Sequence, residues 1–279
     1  MRSLTLLTSL LIIATVASAQ FFLPSRRKAF QTVAAVGGFS PTDISGLDFW
    51  AKADAEVYED AGGSDAAENG DQVYVWGDNS GLNRDAIRDG TGPTYTTGVF
   101  NGGTMPSMRF NGTTMALDIN SVSTDYVGAD LPISIFVVID LDGPAANDFI
   151  VSFTRTTDSD VLFRASATAT NWRFQKRDDG AAIKTADAGA SDPSPHVVAF
   201  ISTGIAVSVY VDGALSGSAG LDVDVGTITP DRGRIGRGGY SGSAYLDGDI
   251  GELIIYDSAL STGDRNSVES YLKSRWGTP

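Results

Sequence analysis

From Leu47 onward the sequence falls into short runs rich in Val, Ile, Phe and Tyr, each ended by turn-forming residues. They read LDFWAKA, VYVW, PSMRF, TMALDI, ISIFVVID, NDFIVSFT, DVLFRAS, NWRFQKR, HVVAFIS, IAVSVYVD and AYLDGDIGELIIYD. The first alternates Leu47, Phe49 and Ala51 against Asp48, Trp50 and Lys52, as a half-buried strand does. Asn111-Gly112, Asp142-Gly143, Asp179-Gly180 and Asp212-Gly213 supply the positive φ angles of hairpin turns between runs. Many short strands joined in this way, with almost no helix, predict an all-β fold of two antiparallel sheets stacked as a sandwich. With 279 residues the chain is long enough to bury one such core.

The final segment adds a helix. In a regular strand Ile250, Glu252, Ile254 and Tyr256 share one face and Leu253 and Ile255 the other, so apolar groups line both sides, as in a central strand. Beyond it, Ser261 and Asp264 have the spacing of a capping box, Val268, Tyr271, Leu272 and Trp276 recur at helical spacing, and Gly277 supplies a stop. This pattern predicts a short C-terminal helix laid on the sandwich.

At the other end, Arg2, the apolar run Leu4 to Val16 and the small residues Ala17-Ser18-Ala19 follow the order of a secretory signal peptide; the alternative is a retained apolar anchor. Residues 20–46 carry the basic cluster Arg26-Arg27-Lys28 and no sustained periodicity, the character of a linker or arm. The expected division is residues 1–19 as signal peptide or anchor, 20–46 as arm and 47–279 as one folded domain.

Composition removes several chemistries. There is no cysteine, which excludes disulfides, thiolate nucleophiles, iron–sulfur clusters and cysteine-bound zinc. A single histidine, His196, excludes multi-histidine metal sites; at the head of HVVAFIS it fits a strand end better than the base of a Ser-His-Asp triad. The net charge of −14 opposes sequence-independent grip on nucleic acid or on an anionic membrane, both of which need clustered cations.

GLDFWAKADA, VYVWGDNSGLNRDA followed by PSMRFNGTTMAL, VSVYVDGAL, and LDGDIGELIIYDSALSTGDRNSVESYLKSRWG together resemble the concanavalin A-like lectin/glucanase superfamily in its laminin G-like jelly-roll branch. The last stretch is the most specific, a Glu-aliphatic-Tyr strand, an Ala-Leu-Ser turn and a short helix closing on Trp-Gly. The resemblance brackets Leu47 to Gly277 and implies a jelly roll. Where family members often have Leu-Trp-Leu-Asp-Ala, this chain has Phe49-Trp50-Ala51-Lys52-Ala53, so a ligand site near the first strand does not carry over. The architecture hosts lectins, glycosidases, adhesion modules and viral capsid or fibre parts, so function has to be argued from a site.

Three candidate sites follow. Laminarinase-type glucanases of that superfamily carry Glu-x-Asp-x-x-Glu on a bulged strand, and Asp247-x-Asp249-x-x-Glu252 has the same spacing with Asp first. Retaining hydrolysis needs two carboxyl groups about 5–5.5 Å apart. On a regular strand Glu252 points away from Asp247 and Asp249, and only a β-bulge would gather all three. Calcium favours oxygen-rich loops. DLDGPAAND, TTDSD and GDNSG are such loops, and Asp142 and Asp148, flanking an expected hairpin, are the pair best placed to converge, although turn acids explain each loop as well. Sandwich lectins combine an exposed aromatic ring with polar loop side chains, which singles out Trp172 with Arg173 and Arg237 with Tyr240 as ligand-binding candidates, while Trp50, Trp76 and Trp276 fit the core.

The sequence therefore points to a secreted, extracellular, non-catalytic binding or adhesion module for carbohydrate or a surface protein, with calcium as the one cofactor in view. The alternatives are a structural subunit of a virion or cell-surface assembly, docked or oligomerised through residues 20–46, and a glucanase-type glycoside hydrolase.

Overall fold

The computed structural model describes residues 38–126, 132–143, 148–155, 161–177, 183–220, 230–238 and 244–279. The expected signal peptide and most of the arm lie outside the described residues, as do Asn147, Asp158, Asp160, the Asp179-Gly180 turn and Tyr240.

The chain forms two antiparallel sheets packed as a sandwich. The first runs, in order, β15 (Ala214–Gly220), β14 (Ala206–Val211), β13 (His196–Ser202), β8 (Ile133–Leu141), β17 (Asp247–Tyr256), β6 (Met105–Asn111) and β5 (Thr94–Phe100), with β1 (Leu47–Lys52) also paired to β17. The second runs β12 (Ile183–Asp187), β11 (Trp172–Arg177), β10 (Val161–Ala167), β9 (Asp148–Thr154), β16 (Arg232–Ile235), β7 (Leu117–Asp118), β4 (Ala86–Arg88), β3 (Val75–Trp76) and β2 (Val57–Tyr58). A one-turn helix α1 (Asn120–Ser123) and the C-terminal α2 (Thr262–Trp276) complete the described elements, with a 3₁₀ turn at Pro41–Asp43.

Apolar side chains fill the space between the sheets. Phe200 of β13 meets Phe174 of β11 across the sandwich with ring centroids 5.7 Å apart, and Phe163 stacks on Phe153 beside them. The opposite face of the first sheet is apolar too, and α2 covers it with Val268, Leu272 and Trp276, all fully buried. Ser261 caps α2 by accepting the Asp264 N–H at 3.2 Å, and Gly277 ends it at φ 65°. Phe39 and Ile44 pack on the same core, and the Tyr256 hydroxyl donates to the Pro41 carbonyl at 3.0 Å.

Two expectations need correction. Asp212 and Gly213, at φ 50° and 84°, do form the β14–β15 hairpin. Asn111-Gly112 and Asp142-Gly143 instead carry the chain from one sheet to the other, β6 to β7 and β8 to β9. Glycine at positive φ permits any sharp change of direction, and a sandwich needs such changes between sheets as well as within them.

The second correction concerns β17. It pairs Ile250 with Ile139 and Glu252 with Val138 on β8, leaving Gly251 as the extra residue of a β-bulge. Ile250 and Glu252 therefore face opposite sides of the sheet. The other edge of β17 changes partner at the same point: Asp247 to Ile250 pair with β6, and Glu252 to Tyr256 pair with β1.

Candidate ligand-binding face

The bulge brings Asp247, Asp249 and Glu252 to one face, because Asp249 lies opposite Asp140 and Glu252 opposite Val138, two residues apart on β8. The chemistry of a retaining pair does not follow. Glu252 is fully buried beneath α2 and accepts hydrogen bonds from Trp50 Nε1 at 2.5 Å, Trp276 Nε1 at 2.6 Å and the Tyr271 hydroxyl at 3.1 Å, with Arg275 Nε at 3.4 Å. Burial pushes its pKa up, against the pull of Arg275 and the indole donors. Asp249 is held by Ser107 Oγ at 2.6 Å and Arg109 Nη1 at 2.7 Å, and Arg109 also pairs with Asp247 and Asp142. A carboxyl group enclosed by a helix and two indoles cannot reach a glycosidic oxygen, so this geometry offers a fastening for α2.

His196 lies at a strand end, as its sequence position implies, with triad-like contacts. Nδ1 lies 2.7 Å from Asp212 Oδ2 and Nε2 lies 3.1 Å from Ser194 Oγ. A second carboxylate alters what the arrangement can do: Ser194 directs its proton to Asp192, which also lies 3.3 Å from Nε2. The Asp212 hydrogen bond holds the histidine pKa above its usual value, partly offset by burial. A histidine set between two carboxylates ties the strand to its neighbouring turns, and with its hydroxyl proton directed to Asp192, Ser194 is not arranged for deprotonation by the ring.

The calcium pair does not converge as free ligands. Asp142 is engaged by the Arg109 guanidinium, and buried Asp148 accepts the Asp247 N–H at 3.2 Å through Oδ1. The two residues flank a crossing between sheets and not a hairpin. Among the described residues no group of three or more His, Cys, Asp or Glu side chains is arranged to hold a metal ion.

For the ligand-binding candidates, Trp172 is corrected: it is fully buried between the sheets, edge-on to His196 at 5.8 Å, and offers no platform to solvent. Its neighbour Arg173 points the other way, onto the outward face of the second sheet, where Arg237 also lies. The strand registers lay out a row on that face running Asp118, Arg234, Ser152, Arg164, Gln175 and Thr185 across β7, β16, β9, β10, β11 and β12. One step along, Ser166, Arg173 and Asp187 form a parallel row.

Arginine dominates this face. Arg173 grips Asp187 with two hydrogen bonds, Nε at 2.6 Å and Nη2 at 2.9 Å, and Gln175 donates to Thr185 Oγ1 at 2.6 Å. Arg234, only 2% exposed, pairs with Asp89 at 3.0 Å and Asp118 at 3.5 Å, and Arg237 shares Asp89 at 3.1 Å. Two guanidinium groups lie over rings, Arg164 over Phe149 at 4.9 Å and Arg237 over Tyr245 at 5.2 Å. The Phe149 ring is itself closed over by the backbone of Gly238, where a Cβ would sit 2.4 Å from it. Burial lowers the pKa of Arg234 and Arg164 and raises that of Asp118, with Arg173 adding to the effect on Arg164 and Asp89 to that on Asp118.

Arg164, Arg234, Asp89 and Asp118 were not singled out from sequence. The usable signal is parity: in VLFRASA and RGRI the arginines alternate with residues that belong to the core. A face of fixed, fork-shaped donors backed by aromatic rings can hold hydroxyl-rich or anionic groups.

The sequence profile of the Concanavalin A-like lectin/glucanases superfamily matches residues 111–264, more than half of the chain. No curated protein matches it in sequence. Among solved structures, Trypanosoma rangeli sialidase is similar with a TM-score of 0.56 and 16% identity, over 84% of this chain and 34% of the sialidase. The binding domain of botulinum neurotoxin serotype G gives 0.56 and 14%, over 84% and 54% of the two chains, and that of serotype D gives 0.52 and 15%, over 73% and 52%. The chain thus spans about a third of the sialidase and about half of each toxin structure, and at these identities the likeness is one of fold.

Proposed function

Because the chain belongs to the concanavalin A-like lectin/glucanase superfamily, we propose that it is a non-catalytic carbohydrate-binding module whose site is the outward face of the second sheet. The observation that carries this reading is the double row of Arg164, Gln175 and Thr185 beside Arg173 and Asp187, polar side chains set at fixed strand spacing on a rigid surface, with the buried Ser166 completing the second row. Sugars present hydroxyls at such intervals, and donors and acceptors already paired with one another are held in place before a ligand arrives. Fold-level likeness to toxin binding domains supports the same direction. The order of charged, apolar and small residues in 1–19 supports an extracellular setting, which N-terminal sequencing of the mature protein tests: a first residue at Gln20 is expected, and an intact Met1 counts against it.

Glycan-array binding by the protein tests the function. Saturable binding that falls at least about tenfold in Gln175→Ala and Arg173→Ala is expected. A blank array, or binding indifferent to both substitutions, removes the assignment.

A further inference from the structure

Arg173, Arg234 and Arg237 each have a carboxylate partner within 3.5 Å. Arg164 has no ion pair among the described residues, and its Nε is buried without a hydrogen-bond partner. Its neighbours leave the imbalance standing: the Phe149 ring lies beneath the guanidinium, the register partner Gln175 is neutral, and Arg173 disfavours its charge by at least as much as Asp187, already held by Arg173, favours it. A partly desolvated cation without a counter-ion is unfavourable, and an anion beside it would restore the balance.

Building on the proposed glycan face, we infer that Arg164 is the anchor for an acidic saccharide, a sugar bearing a carboxylate or a sulfate. The planar guanidinium offers parallel N–H donors to two oxygens of either group. Gln175 and Thr185 continue the row for the hydroxyls of adjoining sugars, and Arg173, already committed to Asp187, reinforces the field without supplying the primary contact.

Titration calorimetry of the full chain against three probes tests this: an oligogalacturonate, a sulfated galactan oligosaccharide and the corresponding neutral galactan. The expected result is that at least one charged probe binds about tenfold or more tightly than the neutral one. That advantage should vanish in Arg164→Gln and survive in part in Arg164→Lys, which keeps the charge without the fork. Preference for the uronate alone assigns a carboxylate, and preference for the sulfated galactan alone assigns a sulfate. Equal binding of charged and neutral probes, or a charge preference that persists in a folded Arg164→Gln, overturns the inference and leaves the glycan module standing. Failure of all three probes together with a blank array removes both. An unchanged far-ultraviolet dichroism spectrum establishes that the variants are folded.

Discussion

Glu252 shows how much structure a single buried carboxylate can hold together. Its two oxygens collect the indole N–H groups of Trp50 and Trp276, the Tyr271 hydroxyl and the charge of Arg275, so one carboxylate ties β1, β17 and α2 together. Replacing it with Leu leaves two buried indole donors without an acceptor and removes one of the two carboxylates that pair with Arg275, the other being Asp54. A loss of roughly 3–5 kcal/mol in urea unfolding is expected, with a smaller loss for Gln, which keeps one acceptor oxygen. Asp48 offers a test by pH. Burial pushes its pKa up to about 6, although Arg84 and the Tyr126 hydroxyl pull it down. A folded-state pKa above the unfolded value of about 3.9 means the folded protein binds the extra proton. The resulting stabilisation is present below about pH 4 and is lost as pH rises through about 6. Asp48→Asn should therefore flatten the fall in stability between those values, read as the difference between the two proteins' urea midpoints; parallel curves would contradict it. The residue scale also marks a limit of sequence reading. Alternation places Trp172 and Arg173 on opposite faces, but which face meets the other sheet depends on Phe174, Phe200 and their packing, many residues away in sequence.

Among the elements, β17 with its bulge is the one the others are fitted to. Gly251 is the inserted residue, and a Cβ there would lie 2.8 Å from the Trp276 ring and 3.2 Å from Phe100. Gly251→Ala should cost about 1–3 kcal/mol and weaken the near-ultraviolet dichroism of the buried indole, because either Trp276 or the strand has to move. Unchanged stability and spectrum would show that α2 can shift without loss. The expected central strand, the C-terminal helix and its Ser261 cap were legible because each depends on residues close together in the chain. The bulge was not: an alternating run gives no sign of where one residue is skipped, and the signal resides in the pairing with β8. Strands such as β15, whose ALSGSAG lacks β-branched and aromatic residues, and the two-residue β2, β3 and β7 exist because neighbours supply their hydrogen bonds. Local preference alone does not specify them.

For the whole molecule, the number and brevity of the runs made a two-sheet fold legible, while the arginine face of the second sheet was only half visible. Arg173 and Arg237 stand apart in the sequence, and the sheet registers that bring Arg164 and Arg234 onto the same face are long-range facts. The same long-range pairing governs kinetics. β17 takes β8 on one edge and both β6 and β1 on the other, so the first sheet cannot close without it. Topologies dominated by distant contacts fold slowly, on the order of milliseconds to seconds even in small domains. Stopped-flow refolding followed by tryptophan fluorescence should report relaxation no faster than that scale, since Trp50, Trp76, Trp172 and Trp276 are all buried. A microsecond phase carrying the full amplitude would contradict it.

The hydrogen bond from Trp50 to Glu252 spans 202 positions. At synthesis rates of about 5–20 residues per second, β1 leaves the ribosome about 10–40 s before its partner strand exists. During that interval β1, joined by β6 and then β8 as each is made, has no β17 to pair with, and exposed backbone edges and apolar faces make a nascent chain prone to aggregate. The yield of folded protein therefore depends on how the half-made chain is shielded while it waits for β17.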